Sequence, residues 1–237
     1  MLFRSECPAW PCSRDKTKKS LGLTSRWAKR CKKYFDKHKK KGQLLFGIIQ
    51  GSIYKDLRME SAKQIIAIGF DGYAIGGVAV GEPRQYLPKI LKWTLPLLPK
   101  DNPRYLMGLG KPEEIVTAAK NGIDLFDCVI PTREARHGRL YLWSGELSLR
   151  GVPLLAGRRG NPVDKTNKKF YETINILNSK YKLDTKSINN TNLKDYSRAY
   201  LHHLFKMNEP LGMKLATIQN LGFYLELMKD LRSKFDK

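Results

Sequence analysis

Asp127 stands inside an apolar run, with Leu125 and Phe126 before it and Cys128, Val129 and Ile130 after it. Pro131, Thr132, Arg133, Arg136, His137 and Arg139 follow at once. A carboxylate in a strand that packing would bury needs a partner or a task. Three other apolar runs end in similarly conspicuous residues: Gln50 after LLFGII, Gly76 and Gly77 after FDGYAI, and Met107 and Gly108 after RYL. Tight turns account for Gly77 and Gly110, since glycine adopts the backbone angles such turns require. They do not account for Gln50 or Asp127.

The elements between these residues explain why they should meet. Apolar runs at 44–51, 70–77, 104–110 and 123–132 alternate with segments of helical character near 55–68, 83–95 and 112–121. Strands alternating with helices of this length predict βαβ units and a parallel sheet, with continuous apolar strands covered on both faces. In such folds the site lies at the carboxyl ends of the strands. The four strand ends therefore define one candidate pocket. Upstream, residues 18–40 are expected to be a helix. Leu21, Leu23, Trp27, Cys31 and Phe35 lie near one face of it, and its lysine-rich end is solvated. Residues 151–195 show little periodicity and are rich in Asn, Lys, Gly and Thr, so a long loop or a partly disordered insertion is expected. A helix follows at 196–205. In a terminal helix Leu215, Ile218, Leu221, Leu225 and Met228 are expected along one face.

Composition narrows the partners. The net charge of +22 attracts polyanions and favours encounters with nucleic acid. No run approaches the ~20 apolar residues of a membrane span, and the N-terminus has no signal-peptide pattern, so a cytoplasmic location is expected. Cys7, Cys12, Cys31 and Cys128 form no Cys-x-x-Cys pair, and a disulfide framework is not expected.

FGIIQG (46–51), GFDGYAIGGVAVGEP (69–83), RYLMGLGKPEEI (104–115), GIDLFDCVIPTREARHGRLY (122–141) and SRAYLHHLF (197–205), with SECPAWP near the N-terminus, closely resemble the bacterial tRNA-guanine transglycosylases, also called queuine tRNA-ribosyltransferases. The motifs occur together and in order, which is far more specific than a lone Ile-Gly-Gly. The resemblance implies a TIM (β/α)8-type barrel, of which this chain carries the C-terminal half. The boundaries are then 1–150 for the half-barrel, 151–180 for an irregular insertion, and 181–237 for a degenerate zinc-subdomain region with C-terminal helices.

The implied activity exchanges guanine at the first anticodon position of tRNA for a 7-deazaguanine precursor of queuosine. Asp127 matches the nucleophile that attacks the ribose and forms a covalent intermediate. Gln50 matches a position whose side chain hydrogen-bonds the base edge. Gly77 matches one that does so through its backbone, and Val78 one whose backbone also faces the base. Met107 matches a residue lining the base pocket. Arg133, Arg136 and Arg139 match positions near the anticodon loop, where planar guanidinium groups suit phosphates and guanine edges.

The chain departs from the family pattern in several ways. The family's general-base aspartate and base-stacking aromatic have no matching positions. Ser5 stands where an aspartate reads the guanine edge, and a hydroxyl is shorter and uncharged. The family's zinc site uses three cysteines before the SRAYLHHLF segment and a histidine after it. Here SINNTNLKDY (187–196) has no cysteine and Gln219 occupies the histidine position. No metal and no cofactor are expected, and His202 and His203 are expected to be ordinary helix residues. Exchange then requires another chain to supply the missing half-barrel; a homodimer would cover the open edges without restoring the missing aspartate. The alternatives are a non-catalytic tRNA-binding or accessory subunit, a split-gene remnant, and a metabolic TIM-barrel enzyme that holds a phosphorylated small molecule at its glycine loops.

Overall fold

The computed structural model describes residues 5–144 and 170–235. It divides into two compact units, 1–128 and 129–237.

In the first unit, α1 (Arg14–His38) begins at Ser13, whose side chain accepts a hydrogen bond from the Lys16 N–H and so satisfies one of the free amides of the first turn. The helix starts one turn earlier than the sequence suggests. Thr17, Ser20, Leu21, Thr24, Ala28 and Phe35 form its buried face, while Leu23, Trp27 and Cys31 are only half-buried. Its small polar residues hold the preceding segment. Glu6 N–H donates to Thr24 Oγ1 at 3.0 Å, and Ser20 Oγ donates to the Glu6 carbonyl at 3.0 Å.

The sheet follows the expected alternation. Its strands are β1 (Phe46–Ile49), β2 (Gly72–Ile75), β3 (Arg104–Leu106) and β4 (Leu125–Phe126). They pair in parallel in the order β1-β2-β3-β4. α2 (Lys55–Ile68), α3 (Leu87–Thr94) and α4 (Pro112–Lys120) fill the crossovers. Ile49, Leu57, Ile65, Ile75 and Leu106 are fully buried in this core. Truncating one of them to alanine would cost about 2–5 kcal/mol, because a cavity remains where the side chain packed.

The fourth strand is much shorter than expected. Only Leu125 and Phe126 pair, on one side, with β3, and Leu125 is 45% exposed. The apolar run over 123–132 is therefore not one buried strand. Pro131 fits the first turn of a helix, where its missing N–H costs nothing, and α5 (Ile130–Arg136) starts there.

The second unit contains α5, the antiparallel pair β5 (Arg139–Trp143) and β6 (Tyr171–Asn175), and helices α6 (Arg198–Lys206) and α7 (Pro210–Phe235). Most of the stretch 151–180, including Gly157–Gly160, lies outside the described residues. From Phe170 onward it is not irregular, since β6 pairs with β5 throughout. The expected face of the last helix holds at Leu215, which is buried, and at Ile218, which packs half-buried against the core, and is corrected further along. Leu221 and Leu225 are exposed, whereas Ala216, Asn220, Phe223 and Leu227 are buried. The buried stripe is set by polar anchors that apolar periodicity does not reveal. Asn220, fully buried, accepts from the Tyr141 N–H and donates to the carbonyls of Pro131 and Arg139, all at 2.9 Å. Gln219 donates to the Tyr141 carbonyl at 2.7 Å. These amides tie α7 to α5 and β5.

Candidate functional site

All four strands of the first unit run in the same direction, so their carboxyl ends share one edge of the sheet. Gln50 follows β1, Gly76, Gly77 and Val78 follow β2, Met107 and Gly108 follow β3, and Asp127 follows β4.

At the β1–β2 end the site is buried and closely packed. Gln50 is 6% exposed; its backbone N–H donates to Ser61 Oγ at 3.0 Å and its side-chain amide donates to Ser5 Oγ at 3.1 Å. Ser5 thus meets Gln50, and the neighbouring Glu6 is held against α1. Gly77 has φ +59°, and a Cβ there would lie 2.7 Å from Gln50 Oε1. Only glycine combines this backbone angle with that close approach. Val78 is buried beside it.

Beneath these residues lies Arg58, which sequence reading missed. It is completely buried. Its Nε donates to the Ser52 carbonyl at 2.7 Å, and one terminal nitrogen donates to the carbonyls of Gly76 at 2.6 Å and Ile49 at 3.4 Å. The other donates to the Gly77 carbonyl. Burial pulls its pKa down to about 10, against the attraction of Glu82 and then Cys7, so it remains a cation at neutral pH. Burial, and next the Glu82 carboxylate, push the Cys7 thiol up to about 11. Glu82 Oε2 accepts from the Val80 N–H at 2.8 Å, while its buried Oε1 has no hydrogen-bond partner among the described residues. The available signal was phase: Arg58 shares the α2 face of Ser61, Ala62 and Ile65, all buried.

At the β3–β4 end the site is open. Asp127 is exposed, contrary to the expectation of a carboxylate within a buried strand; β4 is too short and too peripheral to cover it. Its Oδ1 accepts from the Tyr105 hydroxyl at 2.6 Å and from the Gly108 N–H at 2.7 Å. Among the described residues Oδ2 accepts no hydrogen bond. One oxygen is therefore fixed and the other is available. Burial, then the bond to Asp127, drive the Tyr105 hydroxyl well above its ordinary pKa, so it stays a donor. Tyr105 was also missed, although its place in β3 two residues before Met107 marks it. Met107 packs half-buried against the core.

Arg133, Arg136 and Arg139 belong to the second unit and are all exposed. Glu134 pairs with Arg139 at 3.2 Å and with Arg133 at 3.7 Å. Exposed pairs of this kind contribute at most about 1 kcal/mol and leave the guanidinium groups free to exchange partners.

In the segment where the resemblance implies zinc, the available donors are carboxamides. Asn189 Nδ2 donates to Gln219 Oε1 at 2.7 Å, and Asn189 Oδ1 accepts from the N–H groups of Thr191 at 3.0 Å and Leu193 at 2.9 Å. Carboxamides already committed to hydrogen bonds do not suit zinc, which takes thiolate, imidazole or carboxylate. Among the described residues no group of three His, Cys, Asp or Glu could hold a metal. His202 is buried, with Nδ1 2.7 Å from the Ile176 carbonyl. No described helix is long and apolar enough to cross a membrane.

The family model described as queuine tRNA-ribosyltransferase matches residues 1–237. Proteins named queuine tRNA-ribosyltransferase from Vibrio atlanticus and Haemophilus ducreyi are each 43% identical over 241 residues, covering 100% of this chain and 56% of the relative. The Tolumonas auensis protein of that name is 43% identical over 236 residues, covering 57% of its length. The chain thus spans somewhat over half the length of the curated relatives it matches.

Proposed function

Because this chain belongs to the queuine tRNA-ribosyltransferase family, we propose that it contributes the nucleophile and the base-reading edge to a tRNA-guanine transglycosylase site. The observation that carries this reading is the Asp127 carboxylate. It is held through one oxygen by Tyr105 and Gly108, at the same sheet edge as Gln50 and Gly77. Asp127 Oδ2 attacks the anomeric carbon of the nucleotide at the first anticodon position. The bond to guanine breaks, and the base leaves with the electron pair and takes up a proton. A covalent ribosyl ester forms, which a 7-deazaguanine then resolves by the reverse displacement. A fixed carboxylate lowers the barrier by prior orientation. Gln50 and the backbone at Gly77 and Val78 read the base edge, and Met107 lines its pocket. The exposed Arg133, Arg136 and Arg139 bind the anticodon loop, whose unpaired bases can be splayed out for reading.

The sequential strand order, without the reversal of a doubly wound sheet, supports a TIM-type barrel of which this is the C-terminal half. The two edges, β1 and β4, would be closed by further strands. The proposed location is the cytoplasm, where tRNA is modified. Ser5, hydrogen-bonded to Gln50 where the family has an aspartate, favours a second reading as a tRNA-binding subunit that does not exchange bases.

The test is to purify the tagged chain from its own host with whatever co-purifies and to assay labelled guanine incorporation into tRNA. Incorporation that disappears in Asp127→Asn is expected. No incorporation, with tRNA still bound, would favour the non-catalytic subunit; neither exchange nor tRNA binding would overturn both readings.

A further inference from the structure

A fully buried guanidinium is costly unless its donors are satisfied, and here they are satisfied by main-chain carbonyls. No carboxylate lies within salt-bridge distance of Arg58 among the described residues, although Glu82 is near enough to attract it. The identity of the carbonyls is what matters. The peptide joining Gly76 to Gly77 presents its C=O to Arg58, and so does the peptide joining Gly77 to Val78. A trans peptide points its N–H opposite to its C=O. Fixing these two carbonyls therefore fixes the Gly77 and Val78 N–H groups, aimed away from the cation. A carbonyl that accepts a charged hydrogen bond also withdraws electron density from its own amide, which strengthens the N–H as a donor.

We propose that Arg58 is a positioning residue for base recognition: it clamps the Gly76 and Gly77 carbonyls so that the Gly77 and Val78 N–H groups become oriented, strengthened donors to the carbonyl-bearing edge of the bound purine. This inference rests on the base-site reading above. It assigns Arg58 no contact with the base. Lysine is not an equivalent residue, because a single ammonium cannot reproduce the fork that reaches Ser52, Gly76 and Gly77 together.

Two measurements on the full chain test it. With 15N-glycine and 15N-valine labels, the Gly77 and Val78 amide protons are expected to move upfield in Arg58→Lys. In the wild-type chain, the Gly76 and Gly77 carbonyl carbons should resonate downfield of the other loop glycines. That second readout does not depend on any variant folding. Binding is then compared for guanine and for 2-aminopurine, which lacks the 6-carbonyl. Arg58→Lys should weaken guanine by about tenfold and leave 2-aminopurine unchanged. Unshifted amides, ordinary carbonyl carbons, or equal weakening of both purines would overturn the proposal. If the wild-type chain binds guanine and Arg58→Lys binds it equally well, only the Arg58 inference fails. If the wild-type chain binds neither purine, the base-site reading fails and takes this inference with it.

Discussion

The Tyr105 hydroxyl donates to Asp127 Oδ1 at 2.6 Å, joining a residue inside β3 to the first residue beyond β4. With the Gly108 N–H it leaves one carboxylate oxygen committed and one open. Tyr105→Phe removes one of the two donors. Covalent trapping of an anticodon stem-loop, read as a shifted band on a denaturing gel, should slow by about threefold to tenfold, the worth of one partly solvated hydrogen bond to a carboxylate. Asp127→Asn should abolish the band. An unchanged rate in Tyr105→Phe would show that Gly108 alone orients the carboxylate.

Gly110 faces Cys128, the residue after the proposed nucleophile Asp127. A Cβ there would lie 2.0 Å from Cys128 Sγ and 2.4 Å from Cys128 Cβ. Gly110→Ala must displace Cys128 and, with it, Asp127. The expected result is loss of trapping with the fold retained, partly restored by the double change Gly110→Ala with Cys128→Gly. Wild-type trapping in the single variant would mean that this turn has slack the structure does not suggest.

The Cys7 thiol, with its pKa raised from 9.0 to about 11, should resist alkylation at pH 8 in the folded chain and react quickly once unfolded. The sign of the linkage follows. The folded state holds the proton more tightly than the unfolded state, so this contribution to stability is intact below about pH 9 and is lost as the pH rises from about 9 to about 11. Cysteine-resolved mass spectrometry after iodoacetamide pulses gives the readout, and fast labelling of Cys7 at pH 8 in native protein would contradict it.

Asn220 makes three hydrogen bonds from a fully buried position. Asn220→Leu removes one hydrogen-bond partner from the Tyr141 N–H and from each of the Pro131 and Arg139 carbonyls. A loss of about 2–4 kcal/mol in urea unfolding of the second unit is expected. A loss below about 1 kcal/mol would imply that water replaces the amide.

The bonds of Asn189 to Gln219 and to its own loop occupy the place of the implied zinc site. Melting should therefore be insensitive to strong chelators, and Asn189→Ala should lower the melting temperature. Stoichiometric zinc in elemental analysis, lost together with stability on chelation, would contradict the expectation that no metal is held here.

The sequence by itself determined the alternation of strands and helices, the strand ends carrying Gln50, Gly77, Met107 and Asp127, and the family to which these belong. Strand and helix periods are local properties, set by which side chains recur every two or every three to four residues, so they can be read along the chain. The tertiary structure alone decided how those residues are held. Arg58 reads as a surface arginine until α2 docks on β1 and turns it toward the carbonyls of another strand. Asp127 reads as buried until β4 proves to be two residues long and paired on one side only. Leu221 and Leu225 read as core until Asn220 finds its partners in α5 and β5. For Arg58 and Asn220 contacts between distant residues overrode the local pattern, because a buried polar group goes where its hydrogen bonds can be completed, and for Asp127 the extent of strand pairing decided its exposure.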